Sequence, residues 1–180
     1  MSQAYVLLDR DGVINQDSDD YIKSAEEWHP IAGSLEAIAL FNQHGYKVVV
    51  ITNQSGLSRG YYSESTLAEI HQKMHQLTTA KSGKIDAIYH CPHGPDDNCD
   101  CRKPKPGLLN TFAKDYNCSL SDIYFIGDKV GDIQAANAAG AKPMLVKTGK
   151  GQITLNKNPE INVPIFENLY DAAKFITSEK

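Results

Sequence analysis

The sequence lacks any long apolar run, and it has no strong excess of charge of either sign. No uninterrupted apolar stretch approaches the roughly 20 residues that a membrane-spanning helix needs. The formal net charge is −4, from 18 basic and 22 acidic residues, whereas a general nucleic-acid binder is normally basic. We therefore expect a soluble protein with neither a nucleic-acid nor a membrane partner.

The sequence also has few cysteines and no export signal at its start. The opening MSQAYVLLDRDG has no basic segment, and its apolar stretch soon gives way to acids, which predicts a strand and not a signal peptide. Cys91, Cys99 and Cys101 lie too close together for a disulfide framework, and such clusters in unexported chains are typically metal-binding or catalytic. We expect a cytoplasmic protein, and a monomer because no segment resembles an apolar interface. Cys118 is expected to be an ordinary, partly buried thiol.

Short apolar segments alternate with amphipathic ones along the chain. The apolar segments lack polar alternation, as strands buried on both faces do, and they cover residues 4–8, 46–51, 85–89, 123–126 and 143–146. The amphipathic segments predict helices over residues 33–45, 63–80, 106–117, 130–140 and 167–180. Residues 147–163 are polar and weakly patterned, which predicts a surface loop before a short edge strand.

This alternation predicts one α/β domain over residues 1–180, with a doubly wound, Rossmann-like and mostly parallel sheet and helices on both faces. Ligands of such sheets bind beyond the carboxyl ends of the strands. Polar clusters follow four of the predicted strands: DRDG, TNQSG, CRKPKPG and GDKVGD. The agreement across four strands predicts a single site at that edge.

Three carboxylates converge on the predicted edge. Asp9 ends the first strand, Gly12 permits a turn that brings Asp11 back toward it, and Asp128 follows the fourth strand. Each alone has an ordinary interpretation, since D-x-D-G is often a turn and Asp128 could cap the next helix. Together they would repel one another unless a cation lay between them, and such hard oxygen ligands suit Mg²⁺.

Groups suited to an anion lie at the neighbouring strand ends. Thr52 supplies a hydroxyl, Asn53 and Thr52 supply backbone N–H groups, and Lys103 supplies a positive charge. A nucleophilic carboxylate, a second acid, a divalent cation and a cationic clamp are together typical of phosphoryl transfer.

These segments resemble the four motifs of the haloacid dehalogenase (HAD) superfamily of phosphatases, across essentially the whole chain: LLDRDG, ITNQSG, the lysine of CRKPKPG, and IGDKVGDI. The resemblance implies that Asp9 is the nucleophile of an aspartyl-phosphate mechanism and that Asp11 is the general acid and base. It implies that Mg²⁺ is held by Asp9, the backbone carbonyl of Asp11, and Asp128. Thr52 and Lys103 would stabilise the transferring phosphoryl group.

DRDGVIN and the cysteine loop resemble two related families more closely. One comprises the D-glycero-D-manno-heptose 1,7-bisphosphate 7-phosphatases of lipopolysaccharide-core and S-layer heptose synthesis, and the other the histidinol-phosphate phosphatases. The shared motifs do not separate them. The first implies a small phosphorylated sugar as substrate, while histidinol phosphate and a catalytically degenerate zinc-loop binding module remain alternatives. All four motifs are intact, which disfavours the module, and the acidic balance disfavours a polynucleotide 3′-phosphatase.

One short loop holds four potential metal ligands: Cys91, His93, Cys99 and Cys101. Three thiolates and one imidazole form a full tetrahedral set for Zn²⁺, although a reduced, metal-free loop is the alternative. Four protein ligands leave no open position, so the zinc would be structural. Because Arg102 and Lys103 follow directly, the zinc would hold both cations toward the phosphate.

Many superfamily members carry a cap domain over the site, but residues 12–32 hold no more than a loop, so we expect no separate cap and an open site. Substrate selection then depends on loops. By resemblance Asp17, Ser18, Asp19 and Asp20 face the sugar, or they form a solvated acidic turn, and Arg102 aids recognition. The other candidate substrate contacts are Asn53, Gln54, Ser55, Arg59 and Lys129. His44, His71 and His75 are expected on exposed helix surfaces.

Overall fold

The structure, a computed structural model, describes residues 2–179 and contains one six-stranded parallel sheet. The strands are β1 (Ala4–Leu8), β2 (Tyr46–Asn53), β3 (Ile85–Cys91), β4 (Tyr124–Gly127), β5 (Lys142–Val146) and β6 (Ile165–Phe166). The α-helices are α1 (Ser34–Gln43), α2 (Glu64–Ala80), α3 (Gly107–Asp115), α4 (Val130–Ala139), α5 (Gly151–Lys157) and α6 (Leu169–Ser178). Lys180, the end of the last predicted helix, lies outside the described residues.

The strand order is β3-β2-β1-β4-β5-β6, and every neighbouring pair is parallel. The chain winds outward from β1 to β3, then returns to the other side of β1 and winds outward again. The loops after β1 and β4 therefore diverge from adjacent strands and leave a crevice between them. Asp9 and Asp128 lie at this reversal, where the Asp9 N–H donates to the Ile126 carbonyl at 3.0 Å. The doubly wound prediction is confirmed.

Helices cover both faces of the sheet, because side chains of a strand alternate between its two faces. Val6 and Leu8 of β1 belong to a core shared with α1, α2 and α6. Leu7 between them belongs to the opposite core, which α3 and α4 complete. Both faces of the central strands are thus buried, which explains their continuous apolar runs.

No cap domain interrupts this arrangement. Within the fully described range 9–33, between β1 and α1, the only regular element is a single 3₁₀ turn at Ala25–Glu27. The described residues between β3 and α3 form an irregular loop that contains the cysteines. The site is therefore covered by loops alone, as expected. Among residues 2–179, no helix has both the length and the apolar character to cross a membrane.

The surface loop predicted over residues 147–163 is wrong in part, because α5 lies within it. The Gly151 N–H donates to the Thr148 carbonyl at 2.9 Å, and the Thr154 hydroxyl donates to the Asp128 carbonyl at 2.8 Å. The first bond is a local turn and the second a tertiary contact, and together they hold a short helix whose own apolar pattern is weak, so that pattern alone could not indicate it.

Replacing a ring in the α3 core should cost far more stability than replacing one on the surface. Phe112 is 0% exposed and packs edge-on against Tyr5 at 5.3 Å between ring centroids, whereas Phe175 is 39% exposed. We expect Phe112→Ala to lower the free energy of unfolding by about 3–5 kcal/mol, and Phe175→Ala by much less. Urea unfolding measures both, and equal losses would contradict the placement of the core.

Candidate active site

The turn after β1 is set by a close approach of backbone to carboxylate. Gly12 has φ +87°, and a Cβ at this position would overlap the Asp128 carboxylate. Glycine therefore meets two demands here, a left-handed backbone and the absence of a side chain. The turn places Asp9 and Asp11 on the same cavity wall.

Three buried carboxylates meet at the reversal of the strand order. Single oxygens of Asp9, Asp128 and Asp132 all lie within 4.8 Å of one another. Burial raises the pKa of Asp9 well above its usual value, and Asp132 beside it raises it further while Lys103 opposes the shift. Burial likewise raises the pKa of Asp128, against the effect of Lys129. A divalent cation would relieve this repulsion, and the oxygen donors fit Mg²⁺.

Lys103 is the cation at the centre of this cluster. Its Nζ lies 3.0 Å from Asp9 Oδ1 and 2.7 Å from Asp132 Oδ1, and it donates to the Ile51 carbonyl at 3.0 Å. Burial alone would lower the pKa of Lys103, but Asp132 and Asp9 outweigh it and raise the pKa. The Lys103 ammonium therefore stays charged, and it contacts Asp9, the predicted nucleophile.

Asp132, which could be interpreted from sequence only as a helix cap, has a second task. Its Oδ2 accepts from the N–H groups of Asp128 and Lys129, at 3.1 and 3.2 Å, and so caps α4. Its Oδ1 holds Lys103. Burial alone would raise the pKa of Asp132, but Lys103 and Lys129 outweigh burial and keep it below the usual value. Because its two cations hold its pKa low whereas the pKa values of Asp9 and Asp128 are raised, we assign Asp132 to anchoring Lys103 and leave Asp9 and Asp128 as the carboxylates for a metal.

Asn53 positions Lys103 through the backbone. Its Oδ1 accepts from the Lys103 N–H at 3.1 Å, and its Nδ2 donates to the Lys103 carbonyl at 3.2 Å. Thr52 beside it is buried, and its hydroxyl oxygen accepts from Gln54 Nε2 at 2.9 Å. Asn53, at the end of β2, thus holds Lys103 of the loop after β3 in place.

Asp11 lies in a hydrogen-bonding cage. Its Oδ1 accepts from Arg10 Nε at 2.8 Å and from Asn15 Nδ2 at 2.9 Å. Burial alone would raise the pKa of Asp11, but Arg10 and Asn15 lower it. His71, expected on an exposed helix surface, is instead partly buried, and its Nε2 lies 3.2 Å from Arg10 Nη1. The surface prediction for His71 is wrong, because apolar spacing along α2 does not reveal a polar contact beneath it.

These groups line an open cavity of about 490 Å³. The predicted site residues on its wall are Asp9, Asp11, Asp17, Ser18, Asp19, Thr52, Asn53, Gln54, Ser55, Arg102, Lys103 and Lys129. Asp128 lies buried beneath it, while Asp20 and the exposed Arg59 do not line it. Sequence reasoning assigned no site role to six further lining residues: Tyr21, Ile22, Val130, Gly131, Asp132 and Lys150.

Lys150 belongs to a fifth loop, after β5. Its N–H donates to Asp128 Oδ2 at 2.8 Å, while its Nζ forms an ion pair with Asp19 and lies 3.9 Å from Asp17 Oδ2. Lys129 is a second cation nearby, and its Nζ lies 3.0 Å from Asp128 Oδ1. The strand-end rule that identified the other four loops applies equally to β5 and could have indicated this one.

The cysteine loop brings three sulfurs together. The Sγ atoms of Cys91, Cys99 and Cys101 lie within 4.8 Å of one another. Cys91 and Cys99 are 3.7 Å apart, close to the S···S edge of about 3.8 Å for a tetrahedron with Zn–S bonds of about 2.3 Å. The structure pairs Cys91 with Cys101 as a disulfide, with their Cα atoms 5.7 Å apart. His93 is exposed and outside the sulfur group, and its carbonyl accepts from Arg102 Nη1 at 3.3 Å.

Known proteins share this chain's sequence and architecture. Residues 100–172 match the HAD-hydrolase-like family model. The chain is 52% identical, over 94% of its length and 95% of the relative's, to the D-glycero-beta-D-manno-heptose-1,7-bisphosphate 7-phosphatase of Pseudomonas aeruginosa. The Neisseria meningitidis enzyme of the same name is 46% identical, over 97% of this chain and 95% of that protein. The chain belongs to the heptose-bisphosphate 7-phosphatase family.

A solved heptose-bisphosphate phosphatase has the same fold. The crystal structure of the D,D-heptose 1,7-bisphosphate phosphatase from Bordetella bronchiseptica, complexed with magnesium and phosphate, superposes with a TM-score of 0.96. It is 45% identical and covers 98% of this chain and 99% of its own. The resemblance to HAD phosphatases is thereby confirmed.

Removing the ammonium of Lys103 should damage both stability and turnover in this heptose-bisphosphatase family member. Lys103→Met leaves Asp9 and Asp132 buried without their cation, which should cost about 3–5 kcal/mol of unfolding free energy. Losing the charge beside the phosphoryl group should lower kcat/KM by about 100-fold or more. Lys114→Met, on the exposed end of α3, is the matched control and should stay within about 0.5 kcal/mol of wild type. Wild-type kinetics in Lys103→Met would contradict this assignment.

Proposed function

We propose that the protein is a Mg²⁺-dependent phosphatase that removes the C7 phosphate of D-glycero-β-D-manno-heptose 1,7-bisphosphate through an aspartyl-phosphate intermediate. The observation that carries the proposal is the buried Asp9 carboxylate, held 3.0 Å from Lys103 Nζ on the wall of an open cavity. The β anomer is the one in the names of the similar Pseudomonas and Neisseria enzymes. The product would feed the synthesis of nucleotide-activated heptose for lipopolysaccharide.

Asp9 is oriented for nucleophilic attack. The Arg10 N–H donates to Asp9 Oδ1 at 2.8 Å, and Lys103 contacts the same oxygen. With Oδ1 held, a carboxylate oxygen of Asp9 forms a bond to phosphorus while the bond from phosphorus to the C7 oxygen breaks. Lys103 and the Thr52 hydroxyl stabilise the negative charge on the transferring group.

Asp11 acts as the general acid and then as the general base. Arg10 and Asn15 lower the pKa of Asp11 in the free protein, so this carboxylate must first take up a proton, and a phosphate bound beside it raises its pKa toward that state. Asp11 then gives this proton to the departing C7 oxygen, and in the second half-reaction it takes a proton from the water that attacks the aspartyl-phosphate. Its cage of Arg10, Asn15 and Gln54 keeps the carboxyl on the cavity wall beside Asp9.

Asp9, Asp128 and the Asp11 backbone carbonyl would hold the Mg²⁺. Both carboxylates are buried beside each other, with pKa values raised by burial and like charge, as in a site built for a cation. When bound, Mg²⁺ offsets the charge of the substrate phosphate. The solved Bordetella phosphatase that this chain resembles is complexed with magnesium and phosphate.

Cations at the cavity mouth favour an anionic substrate. Arg102 and Lys129 line the cavity and would meet the second phosphate of a bisphosphate. Asp17 and Asp19, which an amine substrate such as histidinol phosphate would need, already face Lys150. We therefore prefer the sugar bisphosphate. We also propose one cytoplasmic, monomeric domain over residues 1–180, with no nucleic-acid or membrane partner.

Phosphate release in the presence and absence of Mg²⁺ tests the proposal, with both anomers of heptose 1,7-bisphosphate, histidinol phosphate and a 3′-phosphorylated oligonucleotide as substrates. We expect the β-bisphosphate to have the highest kcat/KM. Asp9→Asn, which removes the nucleophile but not its volume, should abolish turnover and leave the Tm near or above that of wild type, because a buried charge is lost. Equal and poor rates on all four substrates would rule out the heptose assignment, and activity in Asp9→Asn would rule out the covalent mechanism.

We further propose that Zn²⁺ binds Cys91, His93, Cys99 and Cys101 and fixes the loop before Arg102 and Lys103. The three clustered sulfurs support this, and His93 would need to turn inward to complete the set. The zinc-bound loop and the Cys91–Cys101 disulfide are alternatives, since a bonded pair of sulfurs cannot ligate as two thiolates.

Metal analysis and thiol counting separate these alternatives. We expect about one zinc per chain in the purified protein, lost in Cys99→Ser and kept in Cys118→Ser, whose thiol lies away from the cluster. After denaturation with a chelator, all four cysteines should react with a thiol reagent. Cys99→Ser should also raise KM while Asp9 remains functional. Two reactive thiols and no zinc would establish the disulfide instead.

A further inference from the structure

The two oxygens of the Asp11 carboxylate have unequal surroundings. Oδ1 lies 2.8 Å from Arg10 Nε, 2.7 Å from Arg10 Nη2 and 2.9 Å from Asn15 Nδ2. Among residues 2–179, Oδ2 has one hydrogen-bonding contact, a longer one at 3.4 Å from Gln54 Nε2, and that amide also donates to the Thr52 hydroxyl oxygen at 2.9 Å. One oxygen is therefore saturated with donors, while the other remains available to exchange a proton.

The Arg10 guanidinium, which contacts Asp11 Oδ1, is itself held by a second residue. The Arg10 side chain is 0% exposed, and its guanidinium lies between Asp11 on one side and His71 of α2 on the other, with Nη1 3.2 Å from His71 Nε2. Arginine has no acceptor, so Nε2 must accept and the imidazole must be neutral with its proton on Nδ1. Burial and the adjacent Arg10 lower the pKa of His71 to about 3, in agreement with a neutral imidazole.

We propose that His71 and Arg10 act in series as positioning residues that hold Asp11 Oδ1, so that Oδ2 is the oxygen that delivers the proton to the leaving group. The inference rests on the proposed phosphatase function and adds two residues to it. Neither residue touches the substrate: Arg10 and His71 are absent from the cavity wall. Arg10 follows the nucleophile Asp9 in the chain, yet its side chain contacts Asp11, the general acid, and not Asp9.

The dependence of the rate on the leaving group distinguishes a displaced Asp11 from a general loss of structure. As Asp9 bonds to phosphorus and the P–O bond breaks, an alkoxide leaving group needs the proton from Asp11 Oδ2, whereas a nitrophenolate leaves without it. A misplaced Oδ2 should slow alkyl phosphates selectively. A general weakening of the fold would slow both kinds of substrate alike.

The test is the ratio of kcat/KM for glycerol 3-phosphate to kcat/KM for p-nitrophenyl phosphate. Because kcat/KM reports steps up to aspartyl-phosphate formation, and both substrates are assayed on one preparation, the ratio does not depend on the fraction of active enzyme. His71→Leu removes the acceptor, His71→Gln restores one at similar reach, and His75→Leu removes an exposed histidine one turn further along α2.

We expect His71→Leu to lower the ratio about tenfold and Arg10→Met to lower it further, toward that of Asp11→Asn, since general acid catalysis typically contributes about 10²–10⁴-fold. His71→Gln and His75→Leu should keep the wild-type ratio. An unchanged ratio in His71→Leu, or an equal loss on both substrates, would overturn the proposal. The heptose assignment is judged separately, from the wild-type preference for the bisphosphate over glycerol 3-phosphate.

Discussion

The buried ion pairs of Lys103 hold the site together. Its ammonium lies between Asp9, in the loop after β1, and Asp132, in the first turn of α4 after β4, and it also donates to the Ile51 carbonyl near the end of β2. One side chain thus joins three strand ends across the point where the strand order reverses. Removing the ammonium would leave Asp9 and Asp132 buried without their shared cation, which is costly in a protein interior.

Negative charge is distributed unevenly around this cation. The cations beside Asp132 and Asp11, chiefly Lys103 and Arg10 respectively, outweigh burial and lower the pKa values of these two carboxyls. Asp9 and Asp128 are left with raised pKa values because their neighbours compensate them less completely. The fold therefore concentrates its unmet negative charge on the two carboxylates proposed to hold Mg²⁺, beside the place where the phosphate would bind.

The sequence indicated the fold and most of the site because both depend on short-range patterns. Apolar runs placed β1 to β5 within a few residues of their observed bounds, and the strand-end rule gathered Asp9, Thr52, Lys103 and Asp128. It could not show that Asn53 orients Lys103 or that His71 contacts Arg10, because those contacts join residues 50 and 61 positions apart. Lys150 was missed for a different reason: the strand-end rule was not applied to the loop after β5, although Lys150 lies in that loop and its N–H donates to Asp128.

The strand order also has a consequence for synthesis on the ribosome. β1 is synthesised before the two strands that flank it, although it lies at the centre of the sheet, and its neighbour β4 pairs Ile126 with Leu8. Until β4 emerges, one side of β1 has no strand beside it, and exposed strand edges are prone to aberrant pairing. The catalytic cluster needs the loops at residues 9, 103, 128 and 150 together, so a truncated nascent chain would hold its nucleophile but neither its metal site nor its full set of charges. The full cluster of charges therefore cannot assemble before the loop at residue 150 has emerged from the ribosome.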